Sequence, residues 1–243
     1  MSYGFKVIIE GELACFTRPE FKMERVSYGV PTPGALEGLL KSVYWKPAFC
    51  YVIDKILILN PINYAIVRRN EIKDKTLYRA VKSQMAEKGG DPCIYADESR
   101  TQRSSVLLKD VRYGVEFHLE RTGIREEKEE KNCGKHCSIL RRRLQKGQYF
   151  RTPCLGCSEF PVRKIELVDS WEGISPDPAI LNLGDQDLGY MSYRVQFKDQ
   201  GRPVNDNWEK PEFSDEAETR YYHPHMIFGV IDVRKYREEA YAH

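Results

Sequence analysis

The sequence predicts an α+β protein, and three observations carry that prediction. Apolar runs rich in Val and Ile alternate with two segments of helical period. Their order is β-α-β, a long polar stretch, then β-α-β. After Asp169 come turn-rich residues and further strand-like runs.

Phe5-Lys-Val-Ile-Ile-Glu10 reads as the first strand. Thr32 to Val43 reads as a helix: Thr32 is a good N-cap, Pro33 suits the first helical position, and Pro47 stops it. Leu36, Leu39, Leu40 and Val43 form its buried stripe. Phe49 to Leu59 is the second strand. Residues from about Asn60 to Ser105 are polar, rich in Arg and weakly periodic, and read as an excursion with one short helix. Val106 to Glu120 returns to strand character, with Val111, Tyr113, Val115 and Phe117 on one face and Arg112, Glu116 and His118 on the other. Arg121 to Lys131 is a charged, exposed run. His136 to Lys146 is a short basic helix with Ile139, Leu140 and Leu144 on its apolar side and Gly147 as its C-terminal cap. Phe160 to Val168, Tyr190 to Phe197 and Met226 to Val233 are strand-like.

With antiparallel pairing this order fits the split β-α-β, ferredoxin-like (RRM-like) plan. The expected organisation is residues 1–168 as one domain, with an insertion at about 60–105, and 169–243 as a small antiparallel β-rich region. With 243 residues, 41% hydrophobic and 30% charged, the chain has the composition of a globular protein. A net charge of +2 rules out a histone-like polycation but not a basic face. No basic flank with a long apolar run opens the chain, and no stretch approaches the roughly 20 apolar residues a membrane helix needs. The expectation is a cytoplasmic protein without a membrane partner, its seven Cys reduced.

The segment Asn132-Cys-Gly-Lys-His-Cys-Ser-Ile-Leu-Arg-Arg-Arg143 is the candidate for chemistry. Lys135 and His136 stand where a helix begins, and backbone N–H groups there favour an anion such as phosphate. Arg141, Arg142 and Arg143 follow, at most two on one face. RNA carries its own nucleophile, the 2′-OH. His moves protons near neutral pH and Lys stabilises added negative charge, so such a site cleaves RNA without a metal. By spacing alone, a Lys-His pair is usually just a solvated loop, and Tyr44, at the end of the first helix, is an aromatic at the core margin.

Several motifs in one order resemble the subtype I-C (Dvulg) branch of the CRISPR-associated Cas-five family. They are Phe16-Thr-Arg-Pro-Glu20, Val26-Ser-Tyr-Gly-Val-Pro-Thr32, Val43-Tyr-Trp-Lys-Pro47, Val67-Arg-Arg-Asn-Glu71, Gly134-Lys-His136 with Gly147, Pro153-Cys-Leu-Gly-Cys-Ser-Glu-Phe-Pro161 and Leu188-Gly-Tyr-Met191. The resemblance fades beyond about Val195. It implies a ferredoxin-like domain with a β-rich C-terminal part, and a metal-independent endoribonuclease that cuts repeat hairpins in precursor guide RNA. The family's catalytic Tyr, Lys and His fall on Tyr44, Lys135 and His136. Their implied roles are 2′-OH activation or orientation, phosphorane stabilisation and proton transfer. The products would be a 2′,3′-cyclic phosphate and a 5′-OH. Implied partners are CRISPR repeat RNA, mature guide RNA held by its 5′ handle, the backbone and large subunits of the type I-C surveillance complex and, through that complex, target DNA. The alternative is a non-catalytic scaffold capping the 5′ end of the guide. The family's glycine-rich loop departs here to Lys146-Gly-Gln-Tyr-Phe-Arg-Thr152, so RNA contact would rest on Tyr149, Phe150 and Arg151, with Arg141, Arg142, Arg143, Arg68 and Arg69 as further contacts.

No cofactor and no metal are assigned. Cys133, Cys137, Cys154 and Cys157 have a C-x3-C and C-x2-C spacing that a zinc ion uses, and the rival reading is two unrelated pairs. His223 and His225, in Tyr221-Tyr-His-Pro-His225, are another possible ligand pair, and a structural or solvent-facing role is the preferred reading, because no acidic or Cys partner stands close by in sequence.

Overall fold

Two amphipathic helices cover one face of an antiparallel sheet in the computed structural model, which describes residues 4–21, 23–86, 93–124 and 133–241. In chain order the elements are β1 (Gly4–Ala14), β2 (Arg25–Val26), α1 (Pro33–Val43), β3 (Phe49–Ile58), β4 (Asn63–Ile72), α2 (Tyr78–Met85), β5 (Arg100–Arg121), α3 (Gly134–Lys146) and β6 (Lys164–Val168). Then come α4 (Pro178–Leu181), β7 (Asp185–Asp187), β8 (Met191–Phe197), β9 (Ala217–Tyr222), β10 (His225–Ile227) and β11 (Val230–Asp232). Most of the charged run Arg121–Lys131, from residue 125 on, lies outside the described residues.

The main sheet has the order β6-β1-β5-β3-β11-β10-β7. The pairings of β1 with β5 and β6, and of β3 with β5, are antiparallel. The alternation along β5 buries Val111, Tyr113, Val115, Phe117 and Leu119 against the helices. α1 adds Leu36, Leu39, Leu40 and Val43, and α3 adds Cys137, Leu140 and Leu144, with Ile139 packed at the margin. Each buried Leu or Val contributes about 1.5–3 kcal/mol, so Leu36→Ala or Leu140→Ala would loosen the helix from the sheet. The opposite face carries Ile8, Leu57 and Leu59 under Trp171, with His118 held between Asp54 at 2.7 Å and Glu120 at 3.0 Å. The strands after residue 169 extend the same sheet: β11 pairs with β3 at Val230–Leu57, Ile231–Ile56 and Asp232–Lys55. β8 and β9 form a separate antiparallel pair.

The helix ends follow their caps. The Thr32 hydroxyl accepts from the Ala35 N–H at 3.3 Å and Pro33 opens α1. Gly147, with φ +62°, ends α3 in the left-handed region.

Three expectations need correction. The polar stretch from Asn60 to Ser105 is largely a β-ribbon: β4 pairs antiparallel with residues 100–109 of β5, and α2 lies between them. Residues of β4 are exposed or half-buried on both faces, so no apolar alternation marks the strand. Asp110, at φ +53°, sits in β5 between its ribbon half and its sheet half, and its carbonyl accepts from Asn60 Nδ2 at 2.8 Å. Second, Met226–Val233 is a hairpin, turned by Phe228 (φ +48°) and Gly229 (φ +79°). Third, the strand read from Phe160 begins at Lys164, because Phe160 and Val162 instead bond back to Leu155 and Pro153 in the preceding loop.

Candidate active site

The C-terminus of α1 meets the N-terminal turn of α3. α1 stops at Tyr44, which leaves the helix in an extended conformation (φ −155°, ψ 129°) while its N–H still bonds Leu40 O. The carbonyls at this end are held from outside. Arg143 Nη1 donates to Val43 O at 2.7 Å, and Tyr51 Oη donates to Tyr44 O at 2.5 Å. A guanidinium at a helix C-terminus also complements the helix dipole. The same Arg143 lies 5.1 Å from the centre of the Tyr44 ring, and Phe49 stacks on that ring at 5.4 Å.

This packing aims the Tyr44 hydroxyl at His136, 2.9 Å from its Nδ1. His136 is 5% exposed, with its ring 4.8 Å from Phe49. Tyr Oη and an imidazole nitrogen form a two-way switch. Either the hydroxyl donates and Nε2 carries the ring proton, or Nδ1–H donates and Nε2 is a base. Lys135, the preceding residue, is exposed. Both stand in the first turn of α3, which Cys133 caps without a side-chain hydrogen bond and which holds no acidic residue. Such a turn suits an anion.

The other predicted contacts divide. Arg142 is exposed, and Arg141 lies over the Phe5 ring at 5.6 Å and 3.8 Å from the Asp169 carboxylate. Arg143 is committed beneath Tyr44. Tyr149, Phe150 and Arg151 project from the loop after α3, and Phe150 is 83% exposed. The loop is pinned to α1, because the N–H groups of Phe150 and Arg151 both donate to Ser42 O, at 2.9 and 3.1 Å. Beside it a groove of about 280 Å³ is lined by Arg143, Tyr149, Arg163 and Lys164. Arg68 is exposed on the ribbon. Arg69 is bound by Glu159, which also pairs with Arg25 at 2.6 Å, so its charge is already engaged.

The four clustered cysteines do not converge. Cys157 Sγ donates to Cys15 O at 3.7 Å, and a hydrogen bond from the Cys15 thiol holds the Cys157 thiol below its ordinary value, aided by Arg25. Burial pushes Cys137 up to about 11 and Cys154 upward. Among the described residues, the group of His, Cys, Asp and Glu close enough to share one ion is Asp187, His223 and His225. Reading along the chain offered His223 and His225 as a pair but missed Asp187, because Asp187 reaches His225 across the β7–β10 pairing, 38 positions away.

A family model described as CRISPR-associated protein (Cas_Cas5) matches residues 5–234. A relative from Mannheimia succiniciproducens, named CRISPR pre-crRNA endoribonuclease Cas5d, is 38% identical over 243 residues, covering 98% of each chain. One of the same name from Thermus thermophilus is 36% identical over 239 residues, covering 96% of this chain and 93% of its own. A solved structure described as a CRISPR-associated protein superposes with a TM-score of 0.60 at 23% identity, over 95% of this chain and 91% of that one. A Streptococcus mutans protein described as functionally uncharacterized superposes equally, at 0.60 and 24% identity over the same shares of the two chains. These two likenesses show a shared fold.

Proposed function

Because the chain belongs to the CRISPR-associated Cas5 family, in its subtype I-C branch, we propose that it is an endoribonuclease that cuts precursor guide RNA through the RNA's own 2′-OH. The observation that carries this reading is the Tyr44–His136 hydrogen bond in the first turn of α3, next to Lys135. The 2′-oxygen attacks the adjacent phosphorus and loses its proton. The P–O5′ bond breaks, and the departing 5′-oxygen takes up a proton. A 2′,3′-cyclic phosphate and a 5′-OH remain. His136 moves protons at the reacting oxygens, Tyr44 sets the orientation and tautomer of its ring, and Lys135 stabilises the phosphorane. No step requires a metal.

The strand order β6-β1-β5-β3, with α1 and α3 on one face, supports a ferredoxin-like reading of residues 1–168, with the ribbon as its insertion and 169–243 as the added β-rich region. Arg141, Arg142, Tyr149, Phe150 and Arg151 border α3 and supply phosphate and stacking contacts to the repeat, with Arg68 as a more remote one. The protein then keeps the 5′ handle of the guide within a type I-C surveillance complex, against its backbone and large subunits.

Replacing the 2′-OH at the scissile nucleotide of a repeat hairpin by hydrogen tests this directly. The deoxy hairpin should bind as tightly as the all-RNA one and remain uncut. Cleavage of the deoxy hairpin would overturn the mechanism. A second reading, a non-catalytic cap on the guide RNA, is favoured by the 5% exposure of His136. It requires that the all-RNA hairpin also stay intact.

A further inference from the structure

β7 ends the main sheet, and its three residues, Asp185-Gln-Asp187, put two carboxylates on one face by the period-two alternation of a strand. Its neighbour β10 places His225 directly opposite Asp187. His223 lies two residues before His225, at the corner that leads from β9 into β10. The result is a His-x-His pair and an Asp whose ligand atoms lie within 4.8 Å of one another. We propose that Asp187, His223 and His225 form a binding site for a divalent transition-metal ion of the zinc class.

The surroundings are built as a metal site requires. His225 Nδ1 is 2.9 Å from Asp185 Oδ1, so Asp185 orients this ring through Nδ1 and would leave Nε2 as the nitrogen for the ion. A carboxylate behind a ligating imidazole fixes its tautomer and raises its basicity. The His223 ring is stacked on Tyr190 at 4.8 Å, which limits its rotation. The backbone is fastened on both sides, by Leu188 N–H to Pro224 O at 3.1 Å and by Gly189 N–H to Asp187 Oδ1 at 2.8 Å. His223 Nε2 and Asp187 Oδ1 are 2.6 Å apart. An ion at about 2.0–2.2 Å from each would replace the proton they share.

The donor set selects the ion. Two imidazoles disfavour Mg2+ and Ca2+, which prefer oxygen, and the absence of thiolate disfavours Cu+. Zn2+ accepts two nitrogens, a carboxylate oxygen and a water without demanding a strict geometry. Bound there, it would join the edge strand β7 to the β9–β10 corner, acting as a staple. It would stabilise the folded chain in proportion to ln(1 + [M]/Kd). This site is independent of Tyr44, Lys135 and His136, and cleavage in EDTA is compatible with it.

The test uses the full chain, stripped with EDTA, desalted and titrated with ZnCl2 by calorimetry. Beside the wild type stand Asp187→Asn, which keeps an acceptor for the Gly189 N–H, and His223→Ala/His225→Ala. The wild type should take up one equivalent of zinc and gain thermal stability. Each variant should lose tenfold or more in affinity while its metal-free melting temperature stays that of the wild type. Cobalt(II) in the wild type should give visible d–d bands without a thiolate-to-cobalt charge-transfer band. Three results would overturn the proposal: no zinc uptake by the wild type, equal uptake by the double variant, or a thiolate band that places the ion on cysteine.

Discussion

The Tyr44 hydroxyl lies 2.9 Å from Nδ1 of His136, although 92 residues separate them. Tyr44→Phe removes only the oxygen, and the ring keeps its packing on Phe49. The variant should fold as the wild type, bind RNA with unchanged affinity and cleave about 10–100-fold more slowly, the loss typical of an outer partner that orients a functional His. Its pH–rate profile should shift, because the hydroxyl influences which ring nitrogen carries the proton. Single-turnover rates across pH check this, and an unaltered rate and profile would exclude an orienting role.

Phe150 is exposed on a loop whose backbone is held by Ser42 O. A rigid, unburied aromatic is suited to stacking on an unpaired base. Phe150→Ala should weaken repeat-RNA binding by about 1–3 kcal/mol without altering protein stability. Arg151→Ala should weaken binding and lower its salt dependence by about one counterion. Filter binding across a salt series separates these effects, and unchanged affinity in both variants would remove the loop from the interface.

Gly156 has φ +85°, and a Cβ there would stand 1.9 Å from Cys15 O. Both the backbone conformation and the close approach demand glycine. Gly156→Ala should cost about 2–4 kcal/mol and lower the melting temperature by roughly 5–10 °C. Thermal unfolding checks it, and a neutral substitution would contradict the packing of the Cys154–Cys157 loop against β1.

His118 titrates on the face of the sheet away from the helices. Burial disfavours its charged form, but the hydrogen bonds its ring donates to the Asp54 and Glu120 carboxylates outweigh burial and raise its pKa above the ordinary imidazole value. The folded state therefore binds the proton more tightly than the unfolded chain. This stabilisation is fully present below about pH 6.5 and is lost as pH rises through the raised folded value. The stability advantage of the wild type over His118→Gln should shrink as pH rises above about 6.5. Denaturant midpoints at several pH values measure it, and a constant difference would contradict the linkage.

The two helices were legible because their signals are local. Thr32, Pro33 and the Leu36–Val43 stripe mark α1, and Gly147 marks the end of α3. β4 was not, since its residues bury neither face fully and leave no alternation to read. The β10–β11 turn was hidden because Phe228-Gly229 sits inside an apolar run. The phosphate-binding character of Lys135-His136 could be argued from a helix start. Its connection to Tyr44 rested on family resemblance, because nothing in spacing signals a contact between the end of one helix and the start of another. The same holds for Asp187 and His225, which meet through strand register.

The most direct measurement is single-turnover cleavage of a repeat hairpin in EDTA by the wild type, His136→Ala and Lys135→Ala, with RNA affinity measured in parallel. The wild type should cut at one position. Lys135→Ala should lose about 10²-fold or more in rate, and His136→Ala about 10²–10⁴-fold, both while still binding RNA and keeping the wild-type melting temperature. Wild-type rates in His136→Ala would contradict the assignment of the reaction to this site.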